Sequence, residues 1–167
     1  MTPPTHILSI DPGLQGAFAL LEVSTRKILL IQDMPVDQGQ VSPEGVAEIV
    51  EMAKFMVGPQ GRLVGAVENV NARPGQAHAL AFGLSTGIIH GCLGSAQVPF
   101  VLIAPSQWKP AMGLQRLTDE TQAGTKTRAR VLAAKLWPEH AGDFKRVMDA
   151  DRAEAALIAR FAANRGV

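Results

Sequence analysis

HILSIDPGLQGAFALLEVSTRKILLIQD, residues 6–33, is the stretch whose reading decides the fold. Residues 6–11 form a short aliphatic run that stops at Pro12 and Gly13, and residues 16–23 and 27–33 follow with only tight turns between them. Short aliphatic runs punctuated by Gly and Pro read as strands, and turns this tight join neighbouring strands as hairpins. The spacing predicts a three-stranded meander whose first strand ends on Asp11.

Beyond residue 33 the pattern changes. After the turn-forming PVDQGQVSP, Ser42 is a fair N-cap with Pro43 at the first helical position, and Val46, Ile49, Val50 and Ala53 recur at helical spacing until Gly58 and Pro59. LVGAVE, residues 63–68, reads as a fourth strand that runs into a loop over residues 69–75. A long helix is expected over residues 76–96. There Gly83, Gly87 and Gly91 share a face beside Ala79, and Leu80, Leu84 and Ile88 form a neighbouring stripe. The glycine spacing suggests close approach to the sheet or to a partner helix, with local looseness as the alternative. PFVLIA, residues 99–104, is a fifth strand, and Ser106 is expected to cap a short helix over residues 107–112. Residues 113–124 read as a polar connection, and two more helices are expected over residues 125–136 and 149–163.

This order implies an α/β fold. Its five-stranded mixed sheet is a three-strand meander plus two parallel strands, flanked by helices, in a single domain over residues 1–167. A chain of 167 residues with 47% hydrophobic and 19% charged residues has the composition of one globular core. The single cysteine, Cys92, excludes an internal disulfide framework and suits a reducing compartment.

The net charge of +1 conceals an asymmetry: residues 1–68 carry four basic and eight acidic side chains, residues 69–167 twelve basic and seven acidic ones. Residues 109–135 hold six Lys or Arg against Asp119 and Glu120, a surface suited to a polyanion. No Asp, Glu, Lys or Arg occurs from residue 74 to 108, yet glycines, histidines and glutamines interrupt the run, so a buried helix and strand are expected rather than a membrane span. The N-terminal MTPPTHILSIDPG has no basic n-region or long apolar run, and the expectation is a cytoplasmic protein, of a bacterial cell or of the host if phage-encoded.

The architecture gathers acids. Asp11 ends the first strand and Glu68 the fourth, and a right-handed crossover can set these strands side by side with both carboxylates at one end of the sheet. Asp151 and Glu154 lie three apart and share a helical face, with Asp149 as a substitute in a shifted register. Ionised carboxylates held this close repel one another, and a divalent cation with oxygen ligands relieves the repulsion. Taken singly, Asp11 in Asp-Pro-Gly has an ordinary turn role, and the acids near residue 150 suit a helix N-terminus. Glu68 is harder to place structurally, because an acid after LVGAV is costly in a sheet unless paired, protonated or ligating.

LSIDPGLQGAFAL, VGAVENV, APSQWK and DADRAEAALIA together, in this order over nearly the whole chain, resemble the RuvC-type Holliday junction resolvases, particularly their shorter bacteriophage relatives. The resemblance implies an RNase H-like fold and a homodimer that nicks four-way DNA junctions symmetrically with Mg²⁺ or Mn²⁺, giving 5′-phosphate ends. Carried over by motif, Asp11, Glu68, Asp151 and Glu154 would be the catalytic acids holding two metal ions. Lys109 would neutralise the scissile phosphate, and Lys126 would contact the junction. Arg73, Arg128 and Arg130 are further expected DNA contacts. Two departures stand out: Glu154 replaces the family's usual Asp, and residues 69–73 lack the aromatic that the bacterial relatives can wedge into the junction. Rival expectations are a nuclease for other branched DNA or RNA-DNA hybrids, and a non-catalytic junction-binding protein. No membrane partner or organic cofactor is expected. His6, His78, His90 and His140 lack metal-ligand spacing, and Trp108 and Trp137 read as packing anchors.

Overall fold

The computed structural model describes residues 3–69 and 79–167. The N-terminal meander consists of β1 (His6–Asp11), β2 (Ala17–Glu22) and β3 (Ile28–Asp33), paired antiparallel. β1 and β2 pair from His6 opposite Glu22 to Asp11 opposite Ala17, so Asp11 lies at the very end of the ladder. The intervening turn depends on glycine. Gly13 has a φ of 122°, and a Cβ on Gly16 would fall 2.0 Å from the Asp11 carbonyl oxygen. The chain can reverse this tightly beside an acidic residue only because that position has no side chain.

PVDQGQVSP holds more structure than a turn: β4 (Val36–Asp37) and β5 (Gln40–Val41) form a separate two-stranded ribbon. It opens onto α1 (Pro43–Val57), where Ser42 Oγ accepts a hydrogen bond from Gly45 N and Gly58 closes the helix at a φ of 69°. β6 (Leu63–Glu68) then runs parallel to β1, and β7 (Phe100–Ile103) parallel to β6, which gives the sheet order β3-β2-β1-β6-β7. The mixed five-stranded sheet is as expected, with β1 at its centre and its C-terminal end beside that of β6.

Alternation along the strands sends side chains to opposite faces. Leu8, Ile10, Phe18, Leu20 and Val67 meet α1 and α2 (Ala79–Ser95) on one face. Ile7, Ala19, Leu21 and Ala66 meet α4 (Gln122–Leu136) and α5 (Ala150–Arg165) on the other. α5 is buried almost all round. Its alanines at 153, 155, 156, 159 and 162 let the helix lie close to the sheet, where Ser9 Oγ of β1 donates to the Ala155 carbonyl at 2.6 Å. That bond joins the middle of the central strand to the helix one residue past Glu154.

Several local expectations need correction. The buried stripe of α2 is Ser85, Ile89 and Leu93, while Leu80 is 87% exposed and nothing among the described residues lies within 4 Å of a Cβ on Gly83, Gly87 or Gly91. Among the described residues, the glycine face therefore meets no other element of the chain. α3 (Pro105–Ala111) starts earlier than expected and is capped by Ala104 rather than Ser106. Proline suits the first helical position because its missing N–H is one the helix leaves unpaired there, and Gln107 Oε1 accepts from Ala104 N. α4 starts three residues early because Thr121 Oγ1 caps it at Gly124 N. Among the described residues, no helix is long and apolar enough to cross a membrane.

Candidate active site

Asp11, Glu68 and Glu154 converge from the ends of β1 and β6 and the first turns of α5. One carboxylate oxygen from each lies within 4.8 Å of the others, and all three side chains are buried. They sit in a cleft of about 1000 Å³ walled by the Pro12–Gly16 turn, α2, α3 and the start of α4.

Like charges in a buried place raise one another's pKa. Burial, then repulsion from Glu68, Glu154 and Asp151, pushes the Asp11 carboxyl well above its ordinary value, and Lys126 only partly opposes this. Burial also raises Glu68, against the hydrogen bond from Trp108 and with further repulsion from Glu154. Three hard oxygen donors whose mutual repulsion a cation would relieve are the donor set that Mg²⁺ and Mn²⁺ favour.

Asp151 stands apart from the triad. It lines the same cleft on the same helical face as Glu154, but its Oδ1 pairs with Lys126 Nζ at 2.7 Å. Burial disfavours the charge on Lys126, yet the bond and the negative charge of Asp151 and its neighbours raise its pKa overall. Lys109 Nζ lies 3.1 Å from Glu154 Oε1. Both lysines are thus placed beside the carboxylates.

Asp149 belongs elsewhere. Its carboxylate turns back to accept from Arg146 N at 2.6 Å and from the Arg146 guanidinium at 2.8 and 3.0 Å, closing the short 3₁₀ turn that leads into α5. Burial works to raise its pKa, but the Arg146 bonds and charge outweigh that and hold it below the ordinary value. Next to it, Arg152 makes a two-pronged bond to Asp33 at the end of β3, at 2.5 and 2.6 Å. These contacts hold the acid-bearing end of α5 against the sheet edge.

The two expected arginines on α4 are engaged within the protein. Arg128 donates to Glu120 from Nε and a terminal nitrogen at 2.7 Å, and to the Gly113 and Gln115 carbonyls. Arg130 donates to the Lys145 carbonyl at 2.9 Å and does not line the cleft. Arg73 lies outside the described residues, as does most of the loop after Glu68.

Trp108 has a role beyond the packing anchor expected from its sequence. It is fully buried, and its indole Nε1 donates to Glu68 Oε1 at 2.8 Å. The neighbouring Lys109 ammonium lies 5.1 Å from the ring centroid. The available signal was adjacency: in APSQWK the tryptophan precedes the lysine, and both project from one short helix that starts at the end of β7.

No protein-family model matches this sequence, and no curated protein matches it. Among solved structures, the chain is similar to Thermus thermophilus RuvC in complex with a Holliday junction substrate, with a TM-score of 0.64, 17% identity and 96% of each chain covered. A second Thermus thermophilus RuvC structure matches with a TM-score of 0.61, 19% identity and the same coverage. The yeast mitochondrial Holliday junction resolvase Ydc2 matches over 98% of this chain and 79% of that one, with a TM-score of 0.51 and 16% identity. Chain-long superposition at such low identity is a statement about architecture, and the protein has the RNase H-like fold of the RuvC structures.

Proposed function

We propose that this protein is a divalent-metal-dependent endonuclease that resolves four-way DNA junctions by paired nicks, leaving 5′-phosphate and 3′-hydroxyl ends. The observation that carries the reading is the buried convergence of Asp11, Glu68 and Glu154 in a cleft that also holds Lys109 and Lys126. Carboxylates buried close together are an unfavourable arrangement unless a cation is held between them, and burial and mutual repulsion raise Asp11 and Glu68 accordingly. The likeness to a RuvC bound to junction DNA supports the choice of substrate.

Asp11, Glu68 and Glu154 would hold one Mg²⁺ or Mn²⁺, and Asp151 would join Glu154 in holding a second. Such ions, when bound, supply an activated water for in-line attack on the phosphodiester and stabilise the leaving 3′ oxygen. The chain's own residues do the rest. Trp108 orients Glu68, and Lys109 and Lys126 neutralise phosphate charge once drawn from their acids. The deciding experiment incubates the purified protein with labelled four-way junction, flap, duplex and RNA-DNA hybrid, in Mg²⁺ and in EDTA. Symmetric, Mg²⁺-dependent nicks confined to the junction are expected. Equal cutting of the hybrid or flap would reassign the substrate, and tight junction binding without cleavage would make it a binding protein.

Two symmetric nicks are most simply made by two sites related by a two-fold axis. The outward face of α2, with Gly83, Gly87 and Gly91 beside exposed Leu80 and Leu84, is suited to a second copy because small residues let helix backbones approach. Sedimentation at micromolar concentration is expected to give a dimer, and Gly87→Gln to shift it towards monomer. A wild-type monomer, with and without DNA, would remove the proposal.

A further inference from the structure

The connection between α3 and α4 is built around a single ion pair. The Glu120 carboxylate accepts from Arg128 Nε and its terminal nitrogen at 2.7 Å, from Leu117 N at 3.1 Å and from Thr125 Oγ1 at 3.1 Å. Arg128 in turn donates to the carbonyls of Gly113 at 2.8 Å and Gln115 at 2.7 Å. One acid and one base therefore tie down the beginning, middle and end of the loop. Hydrogen bonding by Arg128 and by the Leu117 amide holds the Glu120 carboxyl down at about 2, so the pair stays charged across the neutral range. Gly113 and Asp119 adopt positive φ values of 70° and 65°, and Leu114 is buried as an apolar anchor. A surface loop pinned at this many points is preorganised rather than slack, and a non-glycine residue at positive φ persists only where its surroundings impose it.

The pinned segment carries Gln115 and Arg116 into the wall of the acidic cleft. Among the described residues, Lys109, Arg116 and Lys126 are the basic residues that line that cleft. Lys109 is paired with Glu154 and Lys126 with Asp151, whereas Arg116 has no carboxylate partner among the described residues. Its Nε donates to the Glu120 carbonyl at 2.8 Å, which fixes the direction of the guanidinium and leaves the terminal nitrogens without a partner among the described residues. An exposed, oriented guanidinium on the rim of a phosphodiester-cleaving cleft is matched in charge and fork geometry to a phosphate.

We propose that Arg116 contacts a backbone phosphate of the DNA strand entering the cleft, and that the Glu120–Arg128 pair is the positioning device that presents it. Arg128 then acts inside the protein rather than on DNA. The proposal rests on the nuclease reading above, and it adds Arg116, one residue of the basic stretch 109–135, as a DNA contact that no motif assigns.

The test measures binding of a labelled four-way junction in EDTA, where no cleavage occurs, over a salt series. Arg116→Gln, a substitution at an exposed position, is expected to weaken binding by about threefold to tenfold and to reduce the steepness of the log–log salt dependence by about 0.9, with the melting temperature near that of the wild type. Glu120→Ala separates positioning from simple charge. It removes a negative charge near the DNA and releases Arg128, so an electrostatic role alone predicts tighter binding. A positioning role predicts weaker binding, with the melting temperature reporting that the domain stays folded. Unchanged affinity and slope in Arg116→Gln, or tighter binding by Glu120→Ala, would overturn the proposal while leaving the nuclease reading intact. Wild-type protein that neither binds nor cuts the junction would bring down the nuclease reading, and this proposal with it.

Discussion

Asp11→Asn is expected to abolish nicking and, in the absence of metal, to make the protein more stable. The substitution keeps the shape of the side chain but removes the carboxylate at the end of the central strand. A fall in rate of three orders of magnitude or more is expected, about 4 kcal/mol of transition-state stabilisation. The stability effect runs the other way because Asp11 is held among like charges. Its folded-state pKa is raised above the unfolded value, chiefly by burial and by Glu68. For an acid shifted in that direction the folded state holds a proton that the unfolded state releases, so stability falls as pH rises above about 4 towards the folded pKa. Asparagine carries no such penalty. In EDTA the melting temperature of Asp11→Asn should therefore exceed that of the wild type at pH 8, and the gap should close as the pH is lowered to 4. Each kcal/mol recovered corresponds to about 2–4 °C in a domain of this size. Wild-type nicking by the variant, or a lower melting temperature at pH 8 in EDTA, would contradict this account.

Trp108→Phe is expected to have the next largest effect, through Glu68 rather than through substrate. The indole N–H is the one side-chain donor to Glu68 among the described residues, at 2.8 Å in a buried setting. Phenylalanine keeps an aromatic filling but removes the donor. A buried acceptor that loses its partner costs about 1–3 kcal/mol, and the loss of a group that orients a metal ligand typically costs 10- to 100-fold in metal affinity or activity. Cleavage should fall by about that factor and recover as Mg²⁺ or Mn²⁺ is raised, whereas Asp11→Asn should not recover at any concentration. Trp108→Ala adds a cavity and should cost about 3–5 kcal/mol in a denaturant titration. An unaltered metal dependence in Trp108→Phe would reduce the tryptophan to a packing role.

The contrast between these residues explains what was legible beforehand. Asp11 and Glu68 could be placed because each ends an aliphatic run whose strand character is local, and because crossover handedness leaves few ways to arrange those strands. Asp151 and Glu154 share a face by helical spacing alone. Whether the helix presents that face at the right height is another matter, decided by the Ser9–Ala155 and Arg152–Asp33 bonds across more than a hundred residues of separation and by the local Arg146–Asp149 turn. The stripes of α2 were harder to read, because glycine, serine and leucine alternate there without a strong polar face. The buried side follows Ser85, Ile89 and Leu93, which is neither the glycine face nor the neighbouring Leu80, Leu84 and Ile88 stripe.

Arg128 and Arg116 are the sharpest case. Both are basic residues in the same basic stretch, and nothing in composition or spacing distinguishes them. Glu120 does, by taking up Arg128 and bending the loop so that Arg116 reaches the cleft. The order of the main-sheet strands and of the helices around them, the acids at the strand ends and the fold class follow from sequence by itself, since they depend on residue periodicity, turn chemistry and handedness that act over short range. The pairing of each charge is settled only by tertiary structure. Coulomb and hydrogen-bond energies depend on distances of a few ångströms between atoms far apart in the chain, and folding alone sets those distances.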